Sequence, residues 1–256
     1  MSSLRLDRAS VSLGDPPVAV LHDIDLAAES GEILALLGAS GSGKTTLLRS
    51  INRLVPLTTG RIEVAGRNTA EIEPVALRLS IGYVLQGAAL FPHWTVAENI
   101  GTVPRLLGWA EERTSGRIDE VLDLVRLDPA EFRDRFPGSL SGGQQQRVGV
   151  ARALIAKPSL VLMDEPFGAL DPLTREGLQA DFLALQQELG FTAVVVTHDI
   201  SEALLLADRI AILSHGRLVQ IGTPAEISKT PANAEIEELL TTPRRQAETW
   251  RELLGS

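Results

Sequence analysis

The sequence predicts an α/β fold: a mixed sheet, interrupted by an inserted helical segment and followed by a short tail. Three observations carry that expectation. Short aliphatic or β-branched runs alternate with longer helical patterns, which marks a buried parallel sheet. Between about Pro92 and Arg135 the strand signals stop and apolar residues take up helical spacing. Further on, Arg209 to Ile221 reads as a hairpin turning at His215-Gly216, which gives the sheet an antiparallel extension.

In chain order, the first buried strand expected is Ile33 to Leu37, followed by a glycine-rich loop and a helix over Thr46 to Arg53. Ile81 to Leu85 is the next strand. Within the insert, Ile118, Val121, Leu122 and Val125 fall at i, i+3, i+4 and i+7 on one helical face, and Pro137-Gly138 close the segment. Leu160 to Met163 and Ala193 to Val196 are two further strands. All these runs are far shorter than the roughly 20 apolar residues a bilayer crossing needs, so any membrane role must come through a partner. After Pro224 the chain turns polar and helix-prone, with Glu235, Glu237 and Glu238 ahead of Arg244 and Arg245. No internal repeat or low-complexity tract is visible.

Composition narrows the function classes. With 256 residues, 44% of them hydrophobic, the chain can fill one sizeable core. Lys and Arg total 24 against 33 Asp and Glu, a net charge of -9 that disfavours nucleic acid as a partner. The absence of cysteine excludes disulfides, thiolate metal sites and cysteine nucleophiles, and suits a reducing compartment. The opening MSSLRLDRAS has no basic stretch followed by an apolar run, so no secretory leader is expected.

Gly38-Ala39-Ser40-Gly41-Ser42-Gly43-Lys44-Thr45 matches G-x-x-x-x-G-K-[ST], between an expected strand and a helix opening at Thr46. Such glycines let backbone N–H groups turn inward on phosphates, and the helix N-terminus adds positive potential. Lys44 is placed to meet the β and γ phosphates and the Thr45 hydroxyl to ligate magnesium, which makes a P-loop site for a nucleoside triphosphate. The apolar run Ser159 to Met163 ends in Asp164 and Glu165. In P-loop enzymes the first such carboxylate helps hold magnesium, and the second is placed to polarise an attacking water as general base.

Leu140-Ser141-Gly142-Gly143-Gln144, between that phosphate loop and that acidic strand, resembles the signature of ABC transporter ATPase subunits. The resemblance runs from about Leu4 to Glu226 and includes Gln86 as a Q-loop residue, Gly168-Ala-Leu-Asp171 as a D-loop and His198 as the switch histidine. It implies a P-loop ABC ATPase domain over 1–238, with a helical subdomain at about 88–157 inserted in a RecA-like core. A short helical tail at 239–256, without CBS domains, is expected to follow. It also implies ATP and Mg2+, with Thr45, Gln86 and Asp164 as metal ligands and Glu165 and His198 as catalytic residues. Ser141, Gly142, Gly143, Gln144 and Asp171 are expected to complete the nucleotide pocket of a facing copy, in a homodimer that closes on two ATP molecules. Integral permease subunits, reached indirectly by a periplasmic or extracellular solute-binding protein, are the implied partners. The implied location is peripheral, on the cytoplasmic face of the cell membrane.

Ile81-Gly-Tyr-Val-Leu-Gln86, Leu90 to Ile100 and Val103 to Trp109 are similar to segments of importers of quaternary amine osmoprotectants such as glycine betaine, choline and carnitine. Import of a polar amino acid, methionine or a polyamine, or a soluble non-transport ABC ATPase, stays open at this stage. The segment from Gly87 to Trp109 is expected to dock the permease, with Phe91 and Trp94 as apolar anchors or as core. Leu13 stands before Gly14, where the family commonly has an aromatic to stack on adenine. Weak stacking by Leu13 and Val18 predicts relaxed base selectivity.

Overall fold

The structure is a computed structural model that describes residues 2–241, 245 and 249. Its elements begin with β1 (Ser2–Leu13), β2 (Val18–Glu29), β3 (Ile33–Leu37), α1 (Lys44–Ile51), β4 (Thr59–Val64) and β5 (Arg67–Asn68). Next come α2 (Pro74–Ser80), β6 (Ile81–Val84), α3 (Val96–Ile100), α4 (Thr102–Leu106), α5 (Glu111–Leu124) and α6 (Pro129–Phe132). Then follow α7 (Gly142–Leu154), β7 (Leu160–Asp164), α8 (Pro172–Leu189), β8 (Thr192–Thr197) and α9 (Ile200–Leu206). The chain continues through β9 (Arg209–Ser214), β10 (Arg217–Gly222) and α10 (Pro224–Lys229), with a last described helix at 234–241.

Six strands form one sheet in the order β10-β9-β3-β8-β7-β6. Its four inner pairings from β9 to β6 are parallel, and β10 joins β9 antiparallel. Alternation along each buried strand divides the core in two, because successive side chains leave opposite faces. Ile33, Ala35, Leu37, Val161, Met163, Ala193 and Val195 face one cluster, which also holds residues of α5, α7, α8 and α9. Leu34, Leu36, Leu160, Leu162, Val194 and Val196 face the other, where Leu47, Leu48 and Ile51 of α1 pack. A strand buried on both sides reads as an unbroken apolar run, which is why these strands were visible in the sequence.

The second sheet, β2-β1-β4-β5, is antiparallel and was not expected. Leu4, Leu6, Ala9, Val11, Leu21, Ile24 and Leu26 bury its inner face against the second cluster. The period-two pattern breaks between Leu6 and Ala9 and between Leu21 and Ile24, where Arg8 and Asp23 have positive φ and the register shifts. Each bulge re-aims the strand, so a strict alternation count misses it. The bulges are tied to each other, with the Arg8 N–H donating to Asp25 and the Asp23 N–H to Ser10 Oγ.

Among the described residues the chain is helical or irregular between β6 and β7. In the last described helix, Ile236 and Leu240 are both buried in the first core cluster, one on each side of the expected boundary at 238/239. Apart from 245 and 249, the expected tail beyond 241 lies outside the described residues. No described helix is long and apolar enough to cross a membrane.

Candidate active site

Parallel pairing brings the C-terminal ends of β3, β8, β7 and β6 to one edge. Leu37 is opposite Thr197, Asp164 opposite Val196 and Val84 opposite Met163. The residues that follow these positions are therefore neighbours: Gly38, His198, Glu165 and, after Leu85, Gln86. Crevices at the carboxyl ends of strands are where open α/β sheets bind ligands.

The loop after β3 turns on glycines. A methyl group on Gly38 would lie 2.2 Å from the Leu213 carbonyl oxygen, so no other residue fits there. Gly43 caps α1 in the left-handed region at φ 105°, and α1 begins at Lys44, two residues before the predicted Thr46. We expect Gly38→Ala to destabilise the chain by about 2 kcal/mol through overpacking. An unchanged thermal midpoint by calorimetry would contradict that.

Lys44 is buried, and its ammonium donates to the carbonyls of Gly38 at 2.7 Å and Ala39 at 2.8 Å. Burial lowers its pKa, while Glu165 and Asp164 raise it. The Thr45 hydroxyl donates to Asp164 Oδ1 at 3.1 Å. Burial raises the Asp164 pKa against the opposing effect of that hydrogen bond. Glu165 has a positive φ of 45°, uncommon for a residue with a side chain, and its N–H is anchored on the Val196 carbonyl at 3.0 Å. Its two carboxylate oxygens meet different partners: Gln86 donates to Oε2 at 3.2 Å, and His198 Nδ1 lies 3.4 Å from Oε1. Lys44, Thr45, Asp164, Glu165, Gln86 and His198 thus come together. Ala39, Ser40 and Gly41 are exposed on the loop, and Thr46 is half-buried in α1.

The signature residues are elsewhere. Among the described residues, Ser141, Gly142, Gly143, Gln144 and Asp171 share no hydrogen bond or ion pair with the phosphate loop. Ser141 and Gln144 form a capping box at the start of α7, which begins at Gly142. The Gln144 N–H is therefore already answered by Ser141 Oγ. Among the described residues the Gly142 and Gly143 N–H groups have no intrahelical partner. Asp171 caps α8 through Thr174 and is exposed. Those hydrogen bonds hold its carboxyl below the usual range.

Three polar side chains near the site escaped the sequence reading: Arg152, Arg175 and Glu202. The spacing from Asp199 to Glu202 reads as an ordinary helix cap, and Asp199 does accept from the Ser201 and Glu202 N–H groups. Yet Glu202 is buried, and its Oε1 has no hydrogen-bond partner among the described residues. Burial, with Asp199 adding, pushes its carboxyl up to about 7. The folded state then holds this proton more tightly than the unfolded chain, whose value is 4.5. Its favourable contribution is complete below pH 4.5 and is lost as pH rises toward 7, at about 1.4 kcal/mol per unit. Glu202→Gln is expected to flatten that part of the stability profile. Parallel pH profiles for variant and wild type in chemical denaturation would contradict it.

Fold and phosphate loop together define a P-loop protein. The ABC transporter family model matches residues 21–168, and the chain belongs to that family. The chain is 53% identical over 224 residues to the glycine betaine/carnitine/choline transport ATP-binding protein of Bacillus subtilis, covering 88% of this chain and 59% of that relative. It thus spans well under two thirds of that protein's length. Among solved structures, cbiO1 of Clostridium perfringens, part of an ABC transporter complex, superposes with a TM-score of 0.81 at 28% identity, over 88% of this chain and 90% of that one. A dimeric ATP-binding cassette in a post-hydrolysis state with ADP and Pi superposes with a TM-score of 0.76 at 32% identity, over 86% and 98%.

Proposed function

We propose that this chain is the ATP-binding and ATP-hydrolysing subunit of an ABC importer for quaternary amine osmoprotectants such as glycine betaine, choline and carnitine. The observation that carries the ATPase reading is the convergence on one sheet edge of Lys44, the Thr45–Asp164 pair and a Glu165 flanked by Gln86 and His198. The named relative supports the solute class.

In this reading residues 1–238 are the ATPase domain, with 88–157 as its helical insert. Backbone N–H groups of Gly38 to Thr45 hold the phosphates, and the Lys44 ammonium exchanges its two carbonyl acceptors for phosphate oxygens. Thr45, Asp164 and the Gln86 side-chain oxygen make an oxygen-only donor set of the kind Mg2+ prefers. Bound there, Mg2+ would supply neutralising charge at the β and γ phosphates. Glu165, its oxygens steered from two sides, accepts the proton of the attacking water, and His198 positions that water against the γ-phosphate.

Ser141, Gly142, Gly143, Gln144 and Asp171 of a second copy close the pocket, so two ATP molecules hold a homodimer shut. Loss of the γ-phosphate removes that contact and reopens it. The motion passes to permease subunits on the cytoplasmic face of the membrane, which a solute-binding protein loads from the other side. Phe91 is exposed and stacks on Trp94 at 4.5 Å between ring centroids, which favours the docking reading over the core reading.

The test is ATP hydrolysis by this subunit assembled with permease and solute-binding protein in vesicles. Several-fold stimulation by a quaternary amine is the expected result. Stimulation only by an amino acid or a polyamine would keep the importer and overturn the solute class. Leu13 lies 40% exposed, paired in register with Val18, so aliphatic rather than aromatic contact awaits the base. GTP is expected to bind within about tenfold of ATP, since stacking beyond area burial is worth about 0.5–1.5 kcal/mol. A hundredfold preference for ATP in calorimetry would contradict this.

A further inference from the structure

Directly after Gln86 the backbone enters the left-handed region three times in succession, at Gly87 (φ 67°), Ala88 (φ 59°) and Ala89 (φ 43°). Glycine tolerates this, but alanine does not adopt it readily, because its Cβ crowds the carbonyl oxygen. Two local hydrogen bonds shape the turn, from the Ala88 N–H to the Leu85 carbonyl at 3.1 Å and from the Ala89 N–H to the Gly87 carbonyl at 2.7 Å. Neither leaves the segment, so neither explains why the disfavoured form persists. The explanation comes from α7. Arg152 donates from Nη2 to the Ala88 carbonyl at 2.6 Å and from Nη1 to the Ala89 carbonyl at 3.0 Å. One turn earlier on the same helix face, Gly149 leaves room for Ala88, whose Cβ would stand 3.3 Å from any Cβ placed there. Ala88 is accordingly 1% exposed, and burial lowers the Arg152 pKa.

We infer that Arg152 is a positioning residue: its guanidinium fork clamps the 87–89 turn so that Gln86 stays directed at Glu165, tying that contact to the helix that opens at Ser141. The fork geometry suits the task, since a planar guanidinium reaches two adjacent carbonyls at once whereas an ammonium is a single point of charge. A shift of α7 along its axis therefore moves the Ala88 and Ala89 carbonyls directly and the Gln86 amide through them. The inference rests on the ATPase reading for its effect on rate, but the clamp itself is a property of the folded chain.

Two measurements on the purified full chain test it. Hydrogen exchange reads the turn alone. In Arg152→Lys and Arg152→Ala the Ala88 and Ala89 amides are expected to exchange at least about tenfold faster than in the wild type, with α8 amides unchanged. Steady-state hydrolysis reads the link to Gln86. Arg152→Ala is expected to lower kcat about tenfold, with a smaller loss of nucleotide affinity, because only the Gln86 contribution is disturbed while Lys44, Thr45 and Asp164 are untouched. Combined with Gln86→Ala, it should add no further loss, since both substitutions remove one interaction. Unchanged exchange at 88 and 89, or losses that add in the double variant, would overturn the inference. If the wild type hydrolyses no ATP, the ATPase reading has failed and the exchange result alone decides the clamp. If the alanine variant does not fold, the lysine variant carries both measurements.

Discussion

Lys44→Ala is expected to weaken nucleotide binding by about a hundredfold or more and to reduce hydrolysis at saturating ATP to background. The size follows from what the ammonium does. A hydrogen bond to a charged group contributes about 1.5–3 kcal/mol, and this one side chain is placed to make two or more with phosphate oxygens. Its Nζ spans the Gly38 and Ala39 carbonyls, so the loop is shaped around a cation. Lys44→Arg should fail nearly as badly: the position is 6% exposed, and a longer, planar guanidinium cannot reproduce a compact ammonium between the Gly38 and Ala39 carbonyls. Titration calorimetry with ATP checks both variants, and affinity within threefold of the wild type for Lys44→Ala would refute the phosphate-loop assignment.

Glu165→Gln is expected to separate binding from chemistry. The amide keeps the size and the neighbours of the carboxylate but cannot take a proton from water, so kcat should fall by about 10²–10⁴. Affinity for ATP should hold within a few-fold, because Lys44, Thr45 and Asp164 are untouched. The variant should then accumulate as an ATP-bound dimer, visible by gel filtration with ATP and absent with ADP. A variant that hydrolyses ATP at the wild-type rate would remove Glu165 from the reaction and leave His198, 3.4 Å away, as the next candidate base.

Of the candidate site, the halves contributed by continuous motifs were legible in the sequence. Gly38 to Thr45 follows a strand and opens a helix, so the motif and both its flanks lie in one continuous stretch. Asp164 and Glu165 end an apolar run, so their position at the sheet edge follows from the strand before them. Arg152 was not legible. It lies deep in α7, its partners are backbone carbonyls more than sixty residues away, and no spacing rule connects them. Glu202 was hidden differently, by a cap spacing that suits a solvated helix start and says nothing about burial.

The same contrast holds for the fold. The strands of the parallel sheet are buried on both faces, so their composition alone revealed them. The antiparallel sheet has one wet face and several register shifts, among them those at Arg8 and Asp23, and a one-residue slip inverts the pattern on which recognition depends. What the sequence by itself determined is therefore local: the phosphate loop, the acidic strand end, the signature helix and the parallel strands, each specified by residues within one short segment. What only the tertiary structure decided is which of these meet. Parallel register sets Gln86, Glu165 and His198 side by side at one sheet edge, while among the described residues Ser141 and Asp171 share no hydrogen bond with the loop in the same chain. Such meetings depend on strand order and packing between distant segments, and no local pattern of residues encodes them.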